Sequence, residues 1–489
     1  MIRTTILCAL SALLIACGTG ADRGPVDVAI IGDEEELFTT GVRLSPGAQH
    51  LRAASHEGLV ALDQSGQVVP ALAERWIVTD DAMSYIFRLR NSNGPNGEPI
   101  TAPQIRSLLR ERIRQLEGTS LGLDFAKVVE VRAMTGRVIE LRLSGPMPDF
   151  LRLLAQPELG IAIDGSGSGP MRLEREDESA IALLSMLPPE ARGLPARRAW
   201  QDLTRDLTLR NLSARDAIDA FSRGELDLIM NGSIAEFPMV ELGPLSRGAV
   251  QVDPTLGLFG FIVRSDADLL ESPARREALS MAIDRSTLLQ TIGIGGFAPT
   301  SWIVPNNLFV PTIYQTTRWP DLTLEERQTI ARTRVAQWQA ESGEEPVVRV
   351  GLPEGPGSDL LFAALARNWQ QIGVRAEQVG LGRGGDLELR DRLARYSSPR
   401  WFLNQLNCSI AIGLCSEEAD ALVSSSLALR DPVSKQALLI EAHETLTQAE
   451  VFIPLGSPVR WSLVRGAVDG YQANPWGLHP LPALAETPN

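Results

Sequence analysis

The sequence predicts an α/β protein organised as two or three lobes, and three observations carry that reading. Segments with a strand period and segments with a helix period alternate in both halves of the chain. The 489 residues exceed what a single hydrophobic core organises. An apolar fraction of 44% with few aromatics fits a soluble globular chain and not a polytopic membrane protein. The net charge of −14 argues against nucleic acid, whose phosphates call for a face rich in Lys and Arg.

In chain order, the apolar run 26–31 reads as a strand leading into the acidic turn 32–36, and such a strand opens a sheet whose carboxyl end faces a cleft. Residues 58–62 are an apolar run, followed by a turn at Gly66. A short amphipathic helix opened by Pro70 is expected next, with Leu72, Ala73 and Trp76 on one face. An alternating strand follows, in which Tyr85, Phe87 and Leu89 point one way. Thr101 starts a helix through the pattern T-x-x-Q, with Ile105, Leu108, Leu109, Ile113 and Leu116 on its apolar face. Residues 128–133 and 138–143 flank Thr135-Gly136-Arg137 as a hairpin, and a short helix begins at 150–154.

Beyond the turn 165–169, residues 213–228 give a helix and a strand, and 256–263 is a fully apolar strand. Ser272-Pro273 supplies the N-cap and first position of a helix expected over 275–290. A charged helix at 322–342 leads to a strand at 347–350. Leu361, Leu365, Trp369 and Ile372 mark one face of a helix over 358–372 that Gly373 stops, with a strand at 374–379 after it. A helix at 433–448 precedes a short strand at 451–455, whose Pro454 assigns it to a sheet edge.

The N-terminus carries a targeting signal. Arg3 and the apolar run 6–16 are too short to span a bilayer and read as a cleaved signal. Leu14-Ile15-Ala16-Cys17 looks like a bacterial lipobox, in which Cys17 is lipidated and becomes the first mature residue; a plain signal peptide with a chance cysteine is the alternative. An acylated Cys17 would hold a soluble body on a membrane surface. Cys8 leaves with the signal, so Cys408 and Cys415, in an oxidising compartment, read as one disulfide closing a small loop. Metal binding would want more ligands: His50, His56, His443 and His479 are scattered, and there is no H-E-x-x-H or C-x-x-C. No metal and no cofactor are expected.

Two glycine-rich runs and the catalytic motifs need weighing. GLGRGG at 380–385 fits G-x-G-x-x-G after a strand, but a dinucleotide site needs a helix at the third glycine. Residues 386–389 read as another short strand, so a glycine-rich connection is preferred. GSGSG at 165–169 is followed by no G-K-[ST], and Pro170 removes an amide that a phosphate cradle would use. There is no G-x-S-x-G elbow and no S-x-x-K in a plausible setting, so the chain reads as a non-enzyme.

The order G-x-V-x-P-A-L-A-E-x-W, acidic turn, Y-x-F-x-L-R over 66–90 resembles the early signature of the peptide/nickel-type extracellular solute-binding proteins, which deliver ligands to ABC importers. A-R-R-E-A-L-S-M-A-I-D-R over 274–285 resembles the family's second signature. Phe221-x-x-Gly-Glu-Leu-Asp-Leu resembles its G-E-x-D turn. The resemblance implies a two-lobed, periplasmic-binding-protein-like fold of type II with mixed sheets, a hinge and an accessory subdomain. The expected division is a signal over 1–17, a first lobe from 18–48, 165–250 and 463–489, an accessory subdomain over 49–164 and a second lobe over 251–462. Hinge crossings are expected near 251–263 and 460–467.

The same resemblance implies a periplasmic, lipid-anchored monomer that closes on a small-molecule or peptide ligand and passes it to an ABC permease in the membrane. An exported scaffold lipoprotein that kept the fold but lost transport is the first alternative, and an exported hydrolase the second. Peptide-binding relatives carry D-[YN]-x-[DE]-P-x-x-F-L, whose first Asp pairs with the peptide ammonium. Here Pro399, Phe402, Leu403 and Asn404 keep that frame, yet Ser398 replaces the acid before Pro399 and Arg395 stands where the ammonium-binding Asp belongs. A guanidinium suits a carboxylate or phosphate and repels an amine. The expected ligand contacts are Arg395, Tyr396, Ser398, Trp401, Phe402, Asn404 and Trp302. The alternatives are that Arg395 points into solvent or pairs with a neighbouring acid, that the cleft loop is simply shortened, and that the aromatics are core. Some relatives also have a disulfide where Cys408 and Cys415 lie.

Overall fold

A computed structural model describes residues 24–94, 97–176, 180–240, 247–309, 318–466 and 468–486. The expected signal and the lipidation site Cys17 lie outside the described residues. Three larger sheets organise the chain. In the first, the strands follow the order 171–175, 182–186, 207–212, 26–31, 228–232, 460–464 and 250–253. Strand Val26–Ile31 is its centre and pairs in parallel with Leu207–Leu212 on one side and Leu228–Gly232 on the other. Val26, Val28 and Ile30 pack into the core on one face of this sheet, Ala29 and Ile31 into the core on the other.

The second sheet has the order 375–380, 347–352, 387–393, 257–263 and 452–456, again mixing parallel and antiparallel pairs. Every residue of Gly257–Val263 is buried, because Leu258 and Ile262 enter one core while Phe259, Phe261 and Val263 enter another. An apolar run without alternation is what burial on both faces demands. Phe452–Gly456 is the edge strand that Pro454 implied. The third sheet is an antiparallel meander of Ala73–Val78, Ser84–Leu89, Val138–Leu143 and Val128–Thr135. Tyr85, Phe87 and Leu89 all face its core, covered by helix Ala102–Gln115, which Thr101 caps.

The division into lobes can be read from the sheets. Val250–Asp253 and Arg460–Val464 pair in the first sheet, Gly257–Val263 and Phe452–Gly456 in the second. The chain therefore passes between sheets at 254–256 and again at 457–459, where the Thr255 hydroxyl donates to the Pro458 carbonyl. The boundaries expected at 251 and 462 fall inside first-sheet strands, a few residues from these passages. The core of the accessory meander does not stop at its own border. It continues into Ala394, Tyr396, Trp401, Phe402, Leu406, Leu446 and Phe452 of the second lobe.

Two local expectations are corrected. The helix expected at Pro70 is instead strand Val68–Pro70 followed by strand Ala73–Val78. The spacing of Leu72, Ala73 and Trp76 mimics a helix face, but pairing with Ser84–Leu89 supplies a full ladder and overrides it. The helix expected over 275–290 is Pro273–Ala282. It stops because Arg285 is buried and donates to the Ser280 carbonyl and hydroxyl and to the Pro454 carbonyl. Asp284 then accepts from Ser286 and Thr287 in a local turn. The run 380–385 is a turn between two strands, so no helix opens at its glycines.

Phe87 is fully buried at the centre of the meander, whereas Ile77 on its edge is 65% exposed. Phe87→Ala is expected to cost about 3–5 kcal/mol and Ile77→Ala less than about 0.5 kcal/mol, measured by denaturant unfolding followed by tryptophan fluorescence.

Candidate functional site

The site is built at the seam where the two passages run side by side. The carboxyl end of strand Val26–Ile31 lies between two parallel neighbours, Leu207–Leu212 and Leu228–Gly232, the edge of an α/β sheet at which ligands commonly bind. Asn231, at φ 67°, donates its side-chain amide to the Ile31 carbonyl at 2.9 Å. Asn211 donates to the Asp33 carbonyl at 2.8 Å. The second lobe meets this edge with the start of helix Pro356–Gln370, where the Gly357 amide donates to the Ala235 carbonyl at 2.8 Å. A Cβ on Gly357 would lie 1.8 Å from the Ile234 carbonyl oxygen, so glycine is required for the lobes to approach this closely.

Strand Leu387–Leu393 and the segment after it supply the charged wall. Arg390 is pushed down to about 10 by burial and by Arg392. Arg392 is exposed, and desolvation followed by the Arg395 charge holds it below its ordinary value. Arg395 is about a quarter exposed and already has partners. Its Nη1 donates to Gln156 Oε1 at 3.0 Å and its Nη2 to the buried Glu158 at 2.7 Å. The alternative given for Arg395, a neighbouring acid, is therefore present, and the acid belongs to the accessory subdomain.

The remaining expected contacts are mostly interior. The Tyr396 hydroxyl donates to Asp124 Oδ1 at 2.6 Å, and the Asn404 amide donates to the same oxygen at 2.7 Å. Arg400 donates to the Leu123 carbonyl beside them. Trp401 and Phe402 meet edge to face at 4.9 Å and are buried. Tyr396, Trp401, Phe402 and Asn404 are thus buried. They tie helix Pro399–Asn404 to helix Ser120–Phe125 across the border between second lobe and accessory subdomain. The physical reason is that Asp124 offers a buried acceptor which the polar side chains must satisfy.

Ser398 is half-buried at the N-cap of Pro399–Asn404, with no side-chain cap bond. Trp302 is half-buried and packs edge-on against His443 at 5.6 Å. Cys408 and Cys415 form the expected disulfide, and Asp420 accepts from the Cys408 amide at 2.9 Å. Asp124, Gln156 and Glu158 escaped sequence reasoning. They lie more than 200 residues from the partners they hold, and no local pattern marks them.

No family model matches the chain. It is 24% identical to a probable di/tripeptide-binding protein of Pseudomonas aeruginosa, over 86% of this chain and 87% of that protein. It is also 24% identical to a probable deoxycholate-binding periplasmic protein of Escherichia coli, over 85% and 84%. The structure superposes on Haemophilus influenzae OppA in complex with the peptide RPPGFSPFR with a TM-score of 0.79 at 18% identity, covering 95% and 99% of the two chains. Its fold is that of the peptide-type extracellular solute-binding proteins. The two-lobed architecture with an accessory subdomain, expected from the signatures at 66–90 and 274–285, is therefore borne out. A second solute-binding protein of this fold, the murein tripeptide-binding protein MppA of Escherichia coli, superposes with a TM-score of 0.79 in one structure and 0.62 in its unliganded open form.

Two outcomes are expected at this seam. Arg395→Ala leaves the buried Glu158 without its cation and should cost about 2–3 kcal/mol, with Arg395→Met plus Glu158→Met recovering most of it in thermal unfolding. Burial also raises Asp124 to about 6. Between about pH 4 and 6 the folded state therefore holds a proton on Asp124 that the unfolded chain has lost, so this group makes stability fall as pH rises. Burial lowers His50 to about 4, which makes stability rise with pH between about 4 and 6.5. Asp124→Asn removes the first contribution. Its stability should climb more steeply from pH 4 to 6 than that of the wild type.

Proposed function

We propose that the chain is the exported substrate-binding protein of an ABC importer, which captures a small solute between two lobes and presents the closed form to a permease. The observation that carries this is the pair of adjacent passages at 254–256 and 457–459, which join two lobes at one line and leave the carboxyl edge of the first sheet facing the second lobe. The peptide- and deoxycholate-binding relatives support a small organic solute, and because they are binding proteins by name the chain reads as a carrier and not a catalyst. Arg392, exposed beside the passage, favours an anionic ligand over a free-amine peptide, since a guanidinium pairs with carboxylate or phosphate, whereas Arg395 is already paired with Glu158. The reading extends to a periplasmic monomer held on a membrane by lipid on Cys17.

A second reading, a scaffold lipoprotein that no longer transports, is favoured by one observation. Asp124, Tyr396, Arg400 and Asn404 bury a polar network between accessory subdomain and second lobe, and opening the lobes would strip those groups of partners.

A thermal-shift screen of the full chain against peptides, organic acids, sugars and metal chelates separates the two, because a ligand that binds only the folded state raises Tm by mass action. Anionic solutes should raise Tm and free-amine peptides should not, and Arg392→Gln should weaken the effective anion about tenfold or more, a loss of about 1.4 kcal/mol. A shift with ordinary peptides would overturn the assignment of the charged wall. Absence of any shift would favour the scaffold.

A further inference from the structure

A cavity of about 700 Å³ lies between the first sheet and the accessory subdomain. Its wall includes the end of helix Pro46–Ser55 with His56, the glycine-serine run 165–169, and three arginines, Arg90, Arg172 and Arg192. The volume falls within the range of small-molecule sites. Arg90 and Arg192 both pair with the buried carboxylate of Glu57, Arg192 at 3.1 Å. Two guanidiniums thus share one carboxylate, and Arg172 adds a third positive charge to a cavity lining that includes no acid.

The donor inventory points the same way. The Nε of Arg90 and the Nε of Arg192 are both buried, and neither has a hydrogen-bond partner. Such desolvated donors are costly unless an acceptor is supplied. Arg172 is exposed at the rim. His56 is held neutral, pushed down to about 4 by burial and then by the charges of Arg52 and Arg112, so the cationic surroundings extend behind the wall. The small residues of the run 165–169 are fixed by packing, since a Cβ on Gly167 would lie 2.0 Å from the Ser55 carbonyl oxygen. They leave the cavity floor low.

We propose that this cavity is a second solute site, for a small anion bearing carboxylate or phosphate groups, with Arg90 and Arg192 as the inner donors and Arg172 as the outer one. Planar forks of this kind suit either oxyanion. The site is independent of the lobe seam, because none of Arg390, Arg392 and Arg395 lines it.

Isothermal titration of the full chain with citrate and, separately, with inorganic phosphate tests the proposal and distinguishes the two oxyanions. The variants are Arg172→Glu and Ser166→Asp, both at exposed positions where the fold is retained, with circular dichroism as the check. The expected result is saturable binding of at least one probe, weakened about tenfold or more in both variants. A smaller loss in the variants, or no saturable binding of either probe, overturns the site. Loss in Arg392→Gln with binding retained in Arg172→Glu would place the anion at the lobe seam, and overturns it equally.

Discussion

Asp253 is the carboxylate on which the arrangement of the lobes rests. It is the last residue of the first sheet before the chain leaves for the second lobe, and it is buried. A buried carboxylate must find donors. Asp253 finds the Asn474 amide at 2.9 Å and the ring of His479 at 3.1 Å, both from the C-terminal segment. The His479 amide in turn donates to His50 on helix Pro46–Ser55. One acid therefore fixes the start of a passage, the tail that crosses it and the first helix of the chain. The Leu256 amide donates to the Pro475 carbonyl in the same place, so the tail straps the passage along its length.

The accessory subdomain is joined to both lobes by different physics. Towards the first sheet it presents ion pairs and a polar cavity, with Glu57 between Arg90 and Arg192. Towards the second lobe it presents apolar surface with a few buried polar groups, among them Asp124. The polar border encloses a cavity. The apolar one is packed as a domain interior is packed.

Much of this architecture is legible in the sequence because local patterns decide it. Thr101 and Ser272-Pro273 start helices where capping chemistry says they should, and the apolar run ending at Val263 is a doubly buried strand. Ala73–Val78 is not legible in this way, because its pairing partner, not its own spacing, determines its conformation. The site was less legible for a similar reason. The departure at Arg395 and Ser398 from the peptide-binding pattern could be seen in the chain, but the groups that respond to it, Glu158, Gln156 and Asp124, come from another subdomain. The sequence shows a guanidinium at position 395; only the fold shows that Glu158 meets it.

The shared core of the accessory subdomain and the second lobe has a consequence for how the molecule comes apart. Residues from Leu59 to Ile163 and from Ala394 to Phe452 contribute side chains to one apolar cluster, so neither set can lose its packing while the other keeps its own. The cooperative units of the protein therefore do not coincide with its lobes. The face of the second sheet that carries Leu258 and Ile262 melts with the accessory meander, while the opposite face, with Phe259, Phe261 and Trp369, belongs to a different unit. Strand Gly257–Val263 is common to both, one face packed into each core, so it is the element that ties the two together.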